Sequence, residues 1–93
     1  MDKETRDRVR RLMGEVDQIL WDEWDPIGVN DEPLARSEYS AYVGPVVSLL
    51  LRNADANEIA AHLEQIEKVM MECDRGDEVR RKVVERLKSI SLA

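Results

Sequence analysis

The fold is decided by residues 9–29, which read VRRLMGEVDQILWDEWDPIGV. Apolar side chains recur every three or four residues between Val9 and Leu20, the spacing that places them on one face of a helix. Pro26 has no backbone N–H and disfavours helical conformation in the residue before it. The pattern therefore predicts a first helix over about residues 3–24.

Two tryptophans lie at the end of this helix. Tryptophan combines a large apolar face with one N–H donor, so it anchors either a core or an interface. Trp24 lies on the flank of the apolar face and is predicted to pack inside. Trp21 falls on a more polar face, shared with Asp17, where the helical count predicts exposure. Trp21 is either an interface anchor or a cover for a neighbouring helix or the following loop.

Residues 25–36 form a connector rich in turn-forming residues. At about a dozen residues, it exceeds the roughly 2–8 residues usual between helices of a small bundle. Ile27 and Val29 are apolar enough to tuck back under the bundle, which predicts an ordered loop.

Three further helices are predicted, over about residues 37–52, 55–71 and 77–90. Gly44-Pro45 should kink the second, or divide it so that a new helix starts at Pro45. Asn53 suits a left-handed stop. The third helix is expected to turn Ile59, Leu63, Ile66 and Met70 inward. The fourth is expected to turn Val79, Val83, Val84, Leu87 and Ile90 inward. The fold class is all-α: one domain (1–93), a small four-helix bundle with a kinked second helix and a long ordered loop after the first.

The negative charge is concentrated in one segment. The net charge is −6, and residues 15–38 hold eight acids against Arg36 alone. Such a surface repels nucleic acid and accelerates encounter with a basic partner. The alternative is a solvated surface that maintains solubility.

Composition also bounds the compartment. The longest apolar run, around 46–51, is far shorter than the roughly 20 residues of a membrane span, which predicts no membrane insertion. The N-terminal residues do not resemble a targeting signal. A single cysteine, Cys73, cannot form an internal disulfide. A cytoplasmic location is the expectation.

No pattern for catalysis or for a cofactor is found. The acids around Gly28 do not match the ligand spacing of a calcium loop. His62 is the single histidine, and pairing it with Glu58 gives only the weakest enzyme hypothesis, because a polar, partner-facing histidine is the simpler interpretation. Acidic neighbours should raise the pKa of Cys73, which predicts an inert thiol. We expect no enzyme, no metal and no cofactor.

Arginines and lysines cluster in the two terminal helices, which could join into one basic face. Each cluster is interleaved with acids, so solvated helix faces are favoured over a nucleic-acid site. The cationic side chains are Arg6, Arg8, Arg10, Arg11, Arg80, Arg81, Lys82, Arg86 and Lys88.

The combination of aromatic and acidic residues points instead to a protein partner. An aromatic anchor surrounded by charges has the composition of an interface centre and its rim. The predicted partner-binding residues are Asp17, Trp21, Asp22, Asp25, Asp31 and Glu32.

Residues 23–29, followed by Glu38-Tyr39, Tyr42-Val43 and Leu49-Leu50, resemble a family of small, largely uncharacterised bacterial helical proteins with a W-D-P-I-G-V turn. The resemblance covers about residues 16–70. Ser37 and Ser40 replace the acids that would flank the tyrosine, and Gly44-Pro45 reverses the commoner order. The resemblance implies an all-helical fold, and some members look like immunity proteins for bacterial toxins.

The sequence thus predicts a non-enzymatic protein-binding module, an immunity-type inhibitor of a basic, nuclease-like toxin. The alternative is a structural or regulatory bundle that self-associates through its very apolar second helix.

Overall fold

The computed structural model describes residues 2–92 and is helical throughout its regular parts. Helix α1 spans Lys3–Ile19 and continues into a wider π-helical turn, Leu20–Trp24. Helix α2 spans Val43–Leu51, α3 spans Ala56–Gln65 with a π-helical turn at Ile66–Met70, and α4 spans Asp77–Lys88. The predicted four-helix bundle is confirmed, with no strand among the described residues.

Local signals in the sequence explain the ends of these helices. Asp2 and Asp55 cap α1 and α3 by accepting hydrogen bonds from the backbone N–H groups of Thr5 and Glu58. Asn53 adopts the predicted left-handed conformation, with φ 58°. The starts of α1 and α3 and the end of α2 therefore lie where the sequence predicts them.

The second helix is shorter than predicted. Residues 37–39 form turns, Ser40–Tyr42 form a 3₁₀ turn, and α2 begins at Val43. Pro45 sits in the first helical turn, where its missing N–H costs nothing, but its ring would clash with a regular helix four residues earlier. The expected kink is present, with the second helix bent by 34°.

The core is built by the predicted apolar faces. Leu12, Val16 and Ile19 of α1 meet α2, and α4 packs on α3 with Val83, Val84 and Leu87 buried. Within the described chain, no helix has the length and apolar character needed to cross a membrane.

One expected core residue is wrong, and the wide turn that ends α3 explains it. Met70 is 65% exposed, whereas Met71 packs against the core. The N–H of Met71 bonds to the carbonyl of Ile66, five residues back, rather than four. This extra residue shifts the helical register, so Met71 points inward in place of Met70.

Candidate functional site

Asp25 organises the loop after α1. It takes a left-handed conformation (φ 34°), which ends the helix, and its side chain is only 7% exposed. Its carboxylate accepts hydrogen bonds from Val29 N at 2.9 Å, Asn30 N at 3.2 Å and the Tyr39 hydroxyl at 2.6 Å. The predicted partner-binding residue Asp25 is therefore buried, and its carboxylate is used to fold the loop.

Tyr39 fastens the same loop to the core. Its hydroxyl accepts a hydrogen bond from Ile27 N at 3.3 Å while donating to Asp25. Burial, and then the hydrogen bond to Asp25, raise the pKa of Tyr39 above its usual value, so the hydroxyl remains a donor. The loop is ordered as predicted: Val29 packs against the core, although Ile27 remains 41% exposed.

Trp21 is 7% exposed, which corrects the predicted exposure. The connector folds back over this face of α1 and brings two side chains against the indole. The Tyr39 ring lies 6.1 Å away between centroids, and the Arg36 guanidinium carbon lies 5.1 Å from the indole centroid. Counting along a single helix cannot detect such cover.

Asp17 lies on the same face, as predicted, but it already has a cationic partner. Its Oδ2 is 2.9 Å from the Arg36 guanidinium, and its side chain is 29% exposed. Asp17 therefore adds little net negative charge to the surface that a partner would meet.

Three of the predicted binding residues are exposed on the surface: Asp22, Asp31 and Glu32. Asp22 lies beside the loop, since its backbone carbonyl accepts a hydrogen bond from the Asn30 amide at 3.3 Å. Its carboxylate accepts one from the Gln18 amide, and Glu32 accepts one from Leu34 N at 3.2 Å. Because these donors are neutral, the carboxylates keep their charge for an incoming cation.

A groove lies next to Glu32, between α1 and the loop. We call it the loop groove; its volume is about 660 Å³. Leu34, at its edge, is 94% exposed, and Met13 in its wall is 41% exposed. The lining residues are Met13, Gly14, Asp17, Pro33, Leu34, Arg36, Ser37, Ser40 and Val43. Leu34, an apolar residue within the turn-rich connector, was the sequence signal for this groove, but it was not among the predicted binding residues.

A second polar cluster lies inside the bundle, around Glu67. This side chain is fully buried, and its carboxylate accepts hydrogen bonds from Trp24 Nε1 at 2.8 Å, Arg80 at 2.7 Å and Arg75 N at 2.5 Å. Trp24 is fully buried, as predicted. These bonds tie the end of α1 to α3 and α4.

Arg80 is 3% exposed, so it does not belong to the solvated basic face that the sequence suggested. Besides Glu67, it contacts Glu64 at 3.0 Å, Asp74 at 2.8 Å and Asp77 at 2.6 Å. Burial opposes its charge, but hydrogen bonds to Asp74, Asp77 and Glu67 outweigh burial and raise the pKa of Arg80. A guanidinium saturated by carboxylates has a structural role.

Burial shifts the pKa of both His62 and Cys73. His62 is partly buried rather than exposed, its Nε2 has no hydrogen-bond partner in the described chain, and burial lowers its pKa. Burial, followed by Glu67 and Asp74, raises the pKa of the Cys73 thiol, in the predicted direction. Within residues 2–92, no three metal-ligating side chains of His, Cys, Asp or Glu come together.

Comparison with models of protein families, with curated proteins and with solved structures finds no match to this chain.

Proposed function

We propose that this chain is a non-enzymatic protein-binding module whose partner is a basic protein. The observation that carries the proposal is the juxtaposition of an exposed apolar residue, Leu34, with an uncompensated acid, Glu32. Leu34 is 94% exposed at the loop groove, and Glu32 immediately precedes its turn. An apolar contact surrounded by charge is the usual composition of a protein interface.

The revised binding surface is thus Asp22, Asp31 and Glu32 together with Leu34 and Met13. Acids at the rim accelerate encounter with a basic partner, while burial of the apolar side chains slows dissociation. Asp25 and Trp21 support this surface from beneath it.

The particular partner we propose is a basic bacterial toxin of the nuclease type, neutralised in the cytoplasm. The small size and the acidic segment support this assignment, as does the resemblance over about residues 16–70 to a bacterial helical family in which some members look like immunity proteins. An inhibitor of this kind needs only to bind and cover the toxin, so it needs no catalytic group of its own.

Self-association through the second helix has less support. Its side chains Val43, Val46, Val47, Leu49 and Leu50 are buried in this chain's own core, and Leu51 alone among its leucines is exposed. Apolar side chains that are buried in the core cannot also contact a second copy of this chain.

The test begins with capture of the partner from the native host, identified by mass spectrometry, and proceeds to association rates measured at several salt concentrations. One variant neutralises the rim acids and a matched control neutralises three acids elsewhere. The rim variant carries Asp22→Asn, Asp31→Asn and Glu32→Gln. The control carries Asp7→Asn, Glu78→Gln and Glu85→Gln.

We expect association of the rim variant to slow by about tenfold and to lose most of its salt dependence, since steering changes rates by about 10–10³. The control should retain both. Equal slowing in the two variants would mean that only net charge matters, and an unchanged rate in both would refute the proposed surface. Inhibition of the captured toxin's activity by the purified chain tests the inhibitor assignment separately.

A further inference from the structure

Arg36 occupies a set of groups that together suit a guanidinium. Its side chain lies 2.9 Å from the Asp17 carboxylate and 3.4 Å from the Gln18 amide oxygen. Its guanidinium carbon stands 5.1 Å from the centroid of the Trp21 ring. Two residues of α1 and one of the π-helical turn after it therefore contact one cation that comes from the loop.

The chemistry of these contacts favours arginine over lysine. A planar guanidinium can stack on an indole face while its N–H groups reach acceptors at the edge of the ring. A lysine ammonium is a compact, strongly hydrated charge and cannot make both kinds of contact in the same way.

Arg36 holds this position without being sealed in. Its side chain is 42% exposed, it borders the loop groove, and exposed ion pairs of this kind are weak. A competing guanidinium could therefore approach from solvent and replace it, leaving the contacts of the loop through Asp25 intact.

We infer that Asp17, Gln18 and Trp21 form an arginine-recognition site, which Arg36 fills in the free chain. An arginine of the basic partner takes its place on binding, and Trp21 then serves as the aromatic contact of the interface. This inference rests on the proposed function for the identity of the partner, but it can be tested without that partner.

The test is a titration of the whole chain with N-acetyl-arginine-methylamide, followed by the Trp21 indole N–H signal in ¹⁵N–¹H NMR spectra. The indole signal of Trp24 reports whether the core stays folded, because that N–H is bonded to buried Glu67. N-acetyl-lysine-methylamide, at the same concentration and ionic strength, is the matched probe.

Arg36→Ala should bind the arginine derivative about tenfold more tightly than the native chain does, if Arg36 fills the site about nine-tenths of the time. Adding Asp17→Asn to this variant should weaken binding by about fivefold or more. The lysine derivative should also bind more weakly than the arginine derivative, by about fivefold or more, a difference of roughly 1 kcal/mol. Arg36→Lys replaces Arg36→Ala if the latter loses its fold.

Three results would overturn the inference. The Trp21 indole signal of the Arg36→Ala variant could show no saturable shift, the lysine derivative could bind as tightly as the arginine derivative, or Asp17→Asn could leave binding unchanged. Binding of the derivative without association of any basic protein would support the site and refute the proposed function. Association of a basic protein without binding of the derivative would do the reverse.

Discussion

Replacing Arg80 by methionine should be one of the most destabilising single changes in this chain. Arg80 is 3% exposed, and its main partner Glu67 is fully buried. Arg80→Met would leave the Glu67 carboxylate inside the bundle with hydrogen bonds from Trp24 and Arg75 N but without a cation. Breaking one partner of a buried pair costs about 3–5 kcal/mol.

That loss is large for a chain of this size. Domains are stable by roughly 0.05–0.15 kcal/mol per residue, so a chain of 93 residues has on the order of 5–14 kcal/mol. Each kcal/mol moves the melting temperature of such a domain by about 4–8 °C. Urea unfolding followed by circular dichroism, with constant m-value, measures the change directly.

The matched control is Arg81→Met, which removes the same group from the exposed neighbouring position and should change stability by less than about 0.5 kcal/mol. Adding Glu67→Gln to Arg80→Met should restore part of the loss, because a neutral amide can still accept from Trp24. The reasoning fails if Arg80→Met costs no more than Arg81→Met, or if the two core changes simply add.

Three further outcomes are expected. Tyr39→Phe removes the hydrogen bond to the buried Asp25 carboxylate and should cost about 1.5–3 kcal/mol in urea unfolding; Tyr42→Phe is the control, and equal losses would contradict the role of the Tyr39 hydroxyl. The pKa of His62 is lowered from 6.5 in the folded state, so the unfolded state binds the proton first: stability should be complete above about pH 6.5 and fall as pH drops through the folded pKa. Unfolding between pH 5 and 7.5 should show a shallower fall for His62→Gln, and an identical pH profile would argue against this. Leu34→Ser should leave the unfolding midpoint unchanged within about 0.5 kcal/mol while weakening binding of the captured partner; a loss of stability would mean that Leu34 belongs to the core.

Much of the fold could be predicted because its determinants are local. The three-to-four residue spacing of apolar side chains, the caps at Asp2 and Asp55 and the stop at Asn53 each act within a few residues. Interactions between distant residues could not be predicted in this way. In the sequence, Arg80 resembles any other surface cation. In the structure it is buried with Glu67, thirteen residues away in the π-helical turn that follows α3.

The candidate site shows the same division. Asp22, Asp31 and Glu32 were predicted to bind a partner, and the structure leaves all three exposed. Trp21 was predicted to be exposed but is buried, because it is covered by Arg36, fifteen positions along the chain. A helical face that is polar by count can still be buried when a long loop folds back over it.

The residues of the Trp-Asp-Pro-Ile-Gly turn have structural roles inside this chain. The Trp24 N–H bonds to Glu67, the Asp25 carboxylate binds two N–H groups of the loop and the Tyr39 hydroxyl, and Gly28 takes a positive φ of 67°. Each of these residues is used to close the chain on itself. A resemblance carried by this turn is therefore evidence about the fold of the loop, whatever the partner is.

Choice of partner must then depend on residues that the fold leaves unconstrained. Leu34 and the acids beside it make few contacts within the chain, so they can change without loss of stability. Arg36 shares properties of the residues that the fold uses and of those it leaves free. It contacts Asp17 and Trp21, yet it remains partly exposed to solvent. When a partner's arginine replaces Arg36, the partner would bind Asp17 and Trp21 directly. The loop would stay folded, because its contacts through Asp25 would not change.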